Sequence, residues 1–587
     1  MSTEPVRRPA RIPIVAATLT FTASLLTGCV ADPGPEEQGG GRDVPRLEIF
    51  KYPSPVLDNG PPGSYDEGYL GEPCVQLVDG VYEMWYEAIE YPPYDAGHRW
   101  TIAYASSRDG VHWVKDPARR LLPNPDYSWC NKEVLEPWGF KEGGLYRIYF
   151  SANGIEQIGY AESHDGTHWK NFRLVLGAAQ LEGKKINGLP ILTASEPCVV
   201  QRPEGGYIMY FQAETSGNFD HIGYAVSPDG IDFAVPSDGD GNHTPAWNAR
   251  DAWQPARGLA GPCVVRHGGL YYLFCSTWSA PYNLGYAVSR DGLRFAPGPA
   301  NPLATTTPFS WDNWATYEPG VLILPDGRVQ MWWNGVRERG GRQDARYVGA
   351  IGYGFGYLDA SPSDSLVCHW PLDEGGGGHL EDRTTFGHRG RNEGAVVGRP
   401  GARPETGTAY EFDGRDDFLW AHHMPLLGRG SLSISFYLWP GDVSRPQALV
   451  SKSNVEGMFS GFPSREWRIG IDGRGRPLFE VGRSNAADGF TRCRATRPVV
   501  RQRWQHILAE YSEEAAMIRL YLDGQLVAAA PHPGGRRTGR SILSVGAELD
   551  FRKPVQNRAP LSRDLTHDMG GFFKGALDDF RFHASAR

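Results

Sequence analysis

TIAYASSRDGVHW at 101–113, QIGYAESHDGTHW at 157–169, HIGYAVSPDGIDF at 221–233 and NLGYAVSRDGLRF at 283–295 are four versions of one phrase. A degenerate fifth, AIGYGFGYLD, follows at 350–359. The tyrosines Tyr104, Tyr160, Tyr224, Tyr286 and Tyr353 step by 56, 64, 62 and 67 residues. Self-similarity at such a period marks a repeat architecture. In each copy an apolar strand runs into Ser-x-Asp-Gly, where the glycine takes positive φ without penalty, and a ring opens the return strand.

A second phrase precedes each hairpin: EPCVQLVDGVYEMWYEA (72–88), EPWGFKEGGLYRIYFSA (136–152), EPCVVQRPEGGYIMYFQA (196–213), GPCVVRHGGLYYLFCST (261–277) and EPGVLILPDGRVQMWWNG (318–335). Each reads as strand, glycine turn, strand, with rings alternating at the β period of two. Two phrases make four strands per unit, and there are five units. Four-stranded units repeated radially are the blades of a β-propeller. The expected fold class is all-β: a five-bladed propeller over 46–358, then a second domain.

That domain, 366–587, follows a linker at 359–365 and has no sixty-residue period. It carries YEFDGRDDFLW (410–420), SLSISFYLWP (431–440), WQHILAEYS (504–512), IRLYLDGQLVAAA (518–530) and a closing FKGALDDFRFHASA. Alternating strands with Gly and Asp-Gly turns predict a β-sandwich. The phrases resemble the laminin-G-like, concanavalin-like jelly roll. The resemblance implies glycan binding and possible Ca²⁺, with Asp373, Asp413 and Asp579 as oxygen ligands of the right kind. The alternative for Asp413 and Asp579 is turn capping.

At the other end, Arg7, Arg8 and Arg11 precede an apolar stretch, Ile12 to Leu26, too short for an ordinary membrane span. It ends in Leu26-Thr27-Gly28-Cys29, which is similar to a bacterial lipobox. That implies a signal peptide at 1–28, lipidation of Cys29, a Gly/Pro-rich tether to residue 45, and an extracytoplasmic protein anchored to a bacterial membrane, outer membrane or cell surface. The alternative is an ordinary secretory signal. Seven cysteines remain, without metal-ligand spacing, and Cys74, Cys198 and Cys263 recur in blade register as small buried residues. Net charge is −9 with no basic run, so nucleic-acid binding has no electrostatic basis.

The first strand of a propeller blade is the innermost. Glu72-Pro73, Glu136-Pro137, Glu196-Pro197, Gly261-Pro262 and Glu318-Pro319 therefore open on the central funnel, and four carboxylates would converge there. Crowded carboxylates repel, which raises some pKa values and separates acid from base, as glycoside hydrolysis requires.

With GYAxSxDGxxW hairpins on five blades, residues 46–358 resemble the superfamily of arabinanases, β-xylosidases, invertases and levanases (glycoside hydrolase families 43 and 32). The resemblance implies a general base, a pKa-tuning carboxylate and a general acid from blades one to three, carried over as Glu72, Glu136 and Glu196, with no cofactor needed for catalysis. The family uses Asp in the first two blades, and the Asn-Asp-Pro-Asn and Arg-Asp-Pro motifs are missing here. Glu318 repeats the motif where no catalytic acid is needed, so Glu-Pro as a plain strand opener stays open. Asp66, Glu67 and Glu133 are the substitutes.

Trp129, Trp138, Trp253, Trp311 and Trp314 sit where rings could stack on sugar faces, core packing being the alternative, with Asp312 and Glu318 as polar contacts or Asp312 as a turn cap. Trp85, Trp113, Trp169, Trp332 and Trp333 lie in repeat register and read as core. The expectation is a lipid-anchored glycoside hydrolase with a carbohydrate-binding jelly roll, favouring furanoside or pentose glycans and inversion. The alternative is a non-catalytic glycan-binding lipoprotein.

Overall fold

The structure is a computed structural model. It describes residues 44–90, 100–154, 157–217, 219–249, 258–278, 282–299, 301–306, 311–338, 347–358, 366–374, 377–424, 430–454, 464–483, 489–537, 542–549 and 569–586. Cys29, the signal, most of the tether, the linker and Trp253 lie outside them.

Five four-stranded antiparallel sheets form the propeller. Their inner strands, which open the second phrase, are Tyr69–Val78, Val134–Glu142, Leu189–Gln201, Leu259–His267 and Ala315–Ile323. Blade 3 departs from the pattern. Lys185–Ile186 pairs beside its inner strand, and its outermost strand shrinks to the bridge Val226–Ala234. Blade 5 is completed from the other end of the domain: Ile49–Lys51 pairs with Tyr347–Tyr357, placing Phe50 opposite Phe355. Val44 and Pro45, assigned to the tether from sequence, already belong to the fold. The Tyr286 hydroxyl donates to the Pro45 carbonyl at 2.8 Å.

The repeated turn does more than reverse the chain. In each of four blades the serine oxygen accepts the glycine N–H, as in Ser107–Gly110 at 2.9 Å, and the aspartate caps the next two amides. The glycines sit at φ 72–82°. Their carbonyls then accept from neighbouring blades: Trp332 Nε1 to Gly110 at 2.8 Å, Tyr149 to Gly230 and Tyr210 to Gly292 at 2.7 Å. The repeat thus encodes the bonds between blades, which hold the inner strands at fixed radius.

The C-terminal domain stacks two eight-stranded antiparallel sheets around a core containing Trp370, Phe436, Trp467, Phe479, Phe580 and Phe582. That core is continuous with blades 1 and 5. Phe50 packs edge-on against His388 (4.8 Å between ring centres) and Tyr357 against Phe386 (6.1 Å). Polar contacts frame the seam, with Glu48 3.4 Å from His423 and Ser54 3.2 Å from His379. Burial opposes ionisation of Glu48, yet His423 and Arg46 hold it at about 2.

Candidate active site

All five inner strands break register at the same place. A bulge falls between Gly71 and Cys74, Leu135 and Trp138, Ser195 and Cys198, Ala260 and Cys263, and Tyr317 and Pro319. The first bulge residue is left-handed each time: Glu72 (φ 49°), Glu136 (54°), Glu196 (52°), Gly261 (60°) and Glu318 (54°). Such a backbone costs a non-glycine residue roughly 1–3 kcal/mol, and a following proline disfavours it further. The proline has its own logic, because a bulge strands a backbone donor and proline has none to strand. Four glutamates thus bear a strain that glycine would relieve.

The bulges deliver the carboxylates to the axis. Glu136, Glu196 and Glu318 are buried, and Glu72 is partly exposed. A fifth joins them: Glu87, on the second strand opposite Gly71, is buried and lies beside Glu72. Sequence reasoning missed it, although a signal existed. The second phrase ends its ring-rich run on a polar residue in every copy, Glu87, Ser151, Gln212, Ser276 and Asn334, and register sets each opposite the residue preceding the bulge.

Hydrogen bonds tie the ring blade to blade. Glu136 accepts the Ser151 hydroxyl and, at 3.0 Å, the Glu196 N–H. Glu196 accepts the Gly261 N–H, and Glu318 accepts Asn334 Nδ2 at 3.2 Å. Burial and then mutual repulsion push Glu72 and Glu196 well above the carboxylate range, and the same holds for Glu87 and Glu318. Burial also raises Glu136, but its two donors favour the anion and it stops at about 7. Gly261 leaves a gap that geometry enforces, since a Cβ there would lie 2.9 Å from Glu318 Cα.

Two of the three substitute acids stand apart from this ring. Asp66 is buried against Lys115, and Glu67 accepts the Gly63 N–H in an exposed turn. Glu133 lies beside Glu136, its pKa raised by burial.

The expected sugar platforms divide. Trp138 packs at the axis against four blade-to-blade clusters, its Nε1 donating to Val199 at 2.8 Å, so it fills the channel among the inner strands. Trp129 stacks on Phe150 (6.0 Å, 20°) and Trp311 on Trp333 (6.1 Å, 25°), both as packing over blade faces. Asp312 is fully buried and ion-paired with Lys51, a structural contact in place of the expected sugar contact. Trp314 does reach a ring cluster at the mouth, with Tyr69, Trp100, Tyr282 and Tyr317.

In the C-terminal domain, Asp373 lies 3.3 Å from Arg383, and Asp579 2.8 Å from His369 and 3.0 Å from Arg581. These basic partners engage Oδ1 of each aspartate. Asp413 instead groups with Asp416 and Asp417, the carboxylate trio among the described residues compact enough to surround an ion. Asp413 also caps a turn, accepting the Arg415 N–H at 2.7 Å.

Comparison with a family model agrees with the C-terminal part of this architecture. Residues 413–587 match the family described as the concanavalin A-like lectin/glucanases superfamily. Uncharacterized protein Rv1502 of Mycobacterium tuberculosis is 33% identical over 128 residues, covering 20% of this chain and 38% of that protein. The chain thus spans well under half of that relative. Among solved structures, one from work on glycoside hydrolases of the GH130 family that target β-1,2 mannosidic linkages in Candida mannan covers 56% of this chain and 94% of its own (17% identity, TM-score 0.39). Trypanosoma rangeli sialidase covers 92% and 97% (11% identity, TM-score 0.39). The protein is a five-bladed propeller followed by a concanavalin-like domain, and its structural neighbours are glycoside hydrolases.

Proposed function

We propose that the protein hydrolyses glycosidic bonds in its propeller funnel, outside the cytoplasm, with the C-terminal domain holding glycan nearby. The observation that carries this reading is the ring of five glutamates, four of them on strained left-handed bulges, whose hydrogen bonds make them titrate unequally. Strain of this kind collects at functional sites, and hydrolysis needs one neutral and one ionised carboxyl group on a single sugar.

The hydrogen bonding favours a different order of roles from the one the family resemblance implied. Glu136, with two donors, is the ionised partner that activates water or meets the developing positive charge. Glu72, partly exposed and pushed up by burial and by the acids around it, holds the proton for the leaving oxygen. Glu196 positions Glu136 through its backbone N–H. Furanoside or pentose substrates, inversion and lipid anchoring at Cys29 belong to the same proposal.

The test is turnover by purified residues 30–587 on arabinan, xylan, fructan, mannan and host-type glycans, with Glu72→Gln and Glu136→Gln as controls. Hydrolysis lost in both variants, with binding retained, supports the assignment. Binding without turnover by the natural sequence would make the propeller a glycan-binding platform.

A further inference from the structure

The mouth of the propeller is lopsided. On the side of blades 1, 5 and 4 the rings form an unbroken series. Trp100 stands edge-on to Tyr69 (5.5 Å), and the Tyr69 and Tyr317 hydroxyls are 2.9 Å apart. Tyr317 neighbours Tyr282 (5.7 Å), and Tyr282 neighbours Trp314 (5.1 Å) and Trp278 (6.2 Å). Tyr69 is buried as the hub, whereas Trp100, Tyr317, Tyr282, Trp314 and Trp278 keep part of their surface open. On the side of blades 2 and 3, Glu133 and Thr193 stand where Tyr69 does, Asp220 where Tyr282 does, Glu214 where Trp278 does, and Lys132 and Leu192 where Trp314 does.

The series joins the carboxylate ring directly. Tyr317 precedes Glu318 in sequence, and Asn334 donates both to Tyr69 and to Glu318. It is also braced. Thr316 donates to the Tyr282 carbonyl at 2.9 Å, and Tyr282 bridges Ala315. The turn that presents Trp314 is fixed by the buried Asp312–Lys51 pair, and Lys51 lies in the strand that closes blade 5.

We propose that this aromatic strip is an extended binding site for several consecutive residues of an uncharged polysaccharide, leading outward from the carboxylate ring across blades 1, 5 and 4. Apolar rings suit sugar C–H faces, and a row of them rewards a chain over a single sugar. The charge of the occupant follows from the ring, where the leading electrostatic neighbours of all five glutamates are other acids or neutral donors. The ring thus offers no cation among those neighbours to pair with an acidic glycan, and the ionised Glu136 would repel one. The strip also runs on the side of the propeller to which the C-terminal domain is docked.

The inference rests on the proposed function for its end point but is tested without catalysis. Calorimetry on the full chain carrying Glu136→Gln would follow linear arabino-, xylo- and manno-oligosaccharides from disaccharide to hexasaccharide, with oligogalacturonides as the acidic counterpart. The expected result is an affinity gain of roughly tenfold with length in at least one neutral series. Trp314→Ala and Tyr282→Ala should abolish that gain while changing disaccharide affinity less than twofold, and Trp314→Phe should keep most of it. Flat length dependence, no binding in any neutral series, equal losses at every length or equally tight oligogalacturonides would each overturn the strip. A length gain that Trp314→Ala removes, in a natural sequence that hydrolyses nothing, would keep the strip and sink the hydrolase. Hydrolysis with flat length dependence would do the reverse.

Discussion

Two groups of acids in this molecule invite comparison. In the propeller, Glu72, Glu87, Glu136, Glu196 and Glu318 are gathered around an axis that is mostly closed to water. In the C-terminal domain, Asp413, Asp416 and Asp417 bring carboxylate oxygens within 4.8 Å of one another, yet Asp413 and Asp416 stand in solvent. Water screens the second group, and turn amides absorb its lone pairs. In the first group, repulsion must be relieved by holding protons. Proximity alone therefore does not make an acid reactive; exclusion of water does.

The largest expected effect tests that contrast directly. Glu72→Gln and Glu136→Gln should each lower kcat by 10²–10⁴-fold or more, the range for losing a general acid or base. Asp416→Asn should leave kcat within twofold. Comparable losses at both places would break the contrast.

Backbone strain gives the next effect. Gly261→Ala meets both a φ of +60° and the Glu318 backbone, and it should cost about 1–3 kcal/mol in chemical denaturation. Glu318→Gly, at an equivalent bulge, should be neutral or stabilising by up to about 1 kcal/mol. A neutral Gly261→Ala would mean that the bulges bear no strain.

The pH dependence of stability follows in size. Folded-state pKa values raised above the unfolded ones mean that the folded protein holds more protons between the two. For Glu136 that window runs from about 4.5 to about 7. Stability contributed by the ring is then full at low pH and lost as pH rises, by up to ~1.4 kcal/mol per pH unit for each extra proton held. Denaturation midpoints should fall from pH 5 to pH 7, less steeply in Glu136→Gln. Glu48, held at about 2, works the other way but only in strongly acidic solution.

The smallest effect concerns calcium. An exposed trio with its oxygens partly engaged predicts a Tm change of no more than a few degrees in millimolar calcium. A larger rise that Asp416→Asn removes would place an ion there and narrow the contrast.

Most of the architecture could be read from the chain. Period, turn residues and alternating rings gave the blades, because each is a local signal repeated five times. The positions of Glu72, Glu136, Glu196 and Glu318 were equally legible, since Glu-Pro recurs in register. What register alone hides is direction. A bulge adds one residue and redirects a side chain, and nothing in Glu-Pro announces a φ of +50°. The placing of two tryptophans has a related cause. Trp311 and Trp129 stand before inner strands, where a mouth position was expected. Each instead lies over glycines, Gly335 and Gly352 beneath Trp311 and Gly159 beneath Trp129, which make room for a ring on a blade face. Asp312 was ambiguous because its partner, Lys51, is 261 residues away.

Phe50 belongs at once to the strand that finishes the fifth blade and to the hydrophobic seam with the second domain. A clasp of that kind couples two melting events. Withdrawing the strand would open the circle of sheets and expose the flank of the sandwich in the same movement. The two halves of the chain are accordingly built to unfold together as one cooperative body, and a cut between Leu47 and Phe50 would cost both.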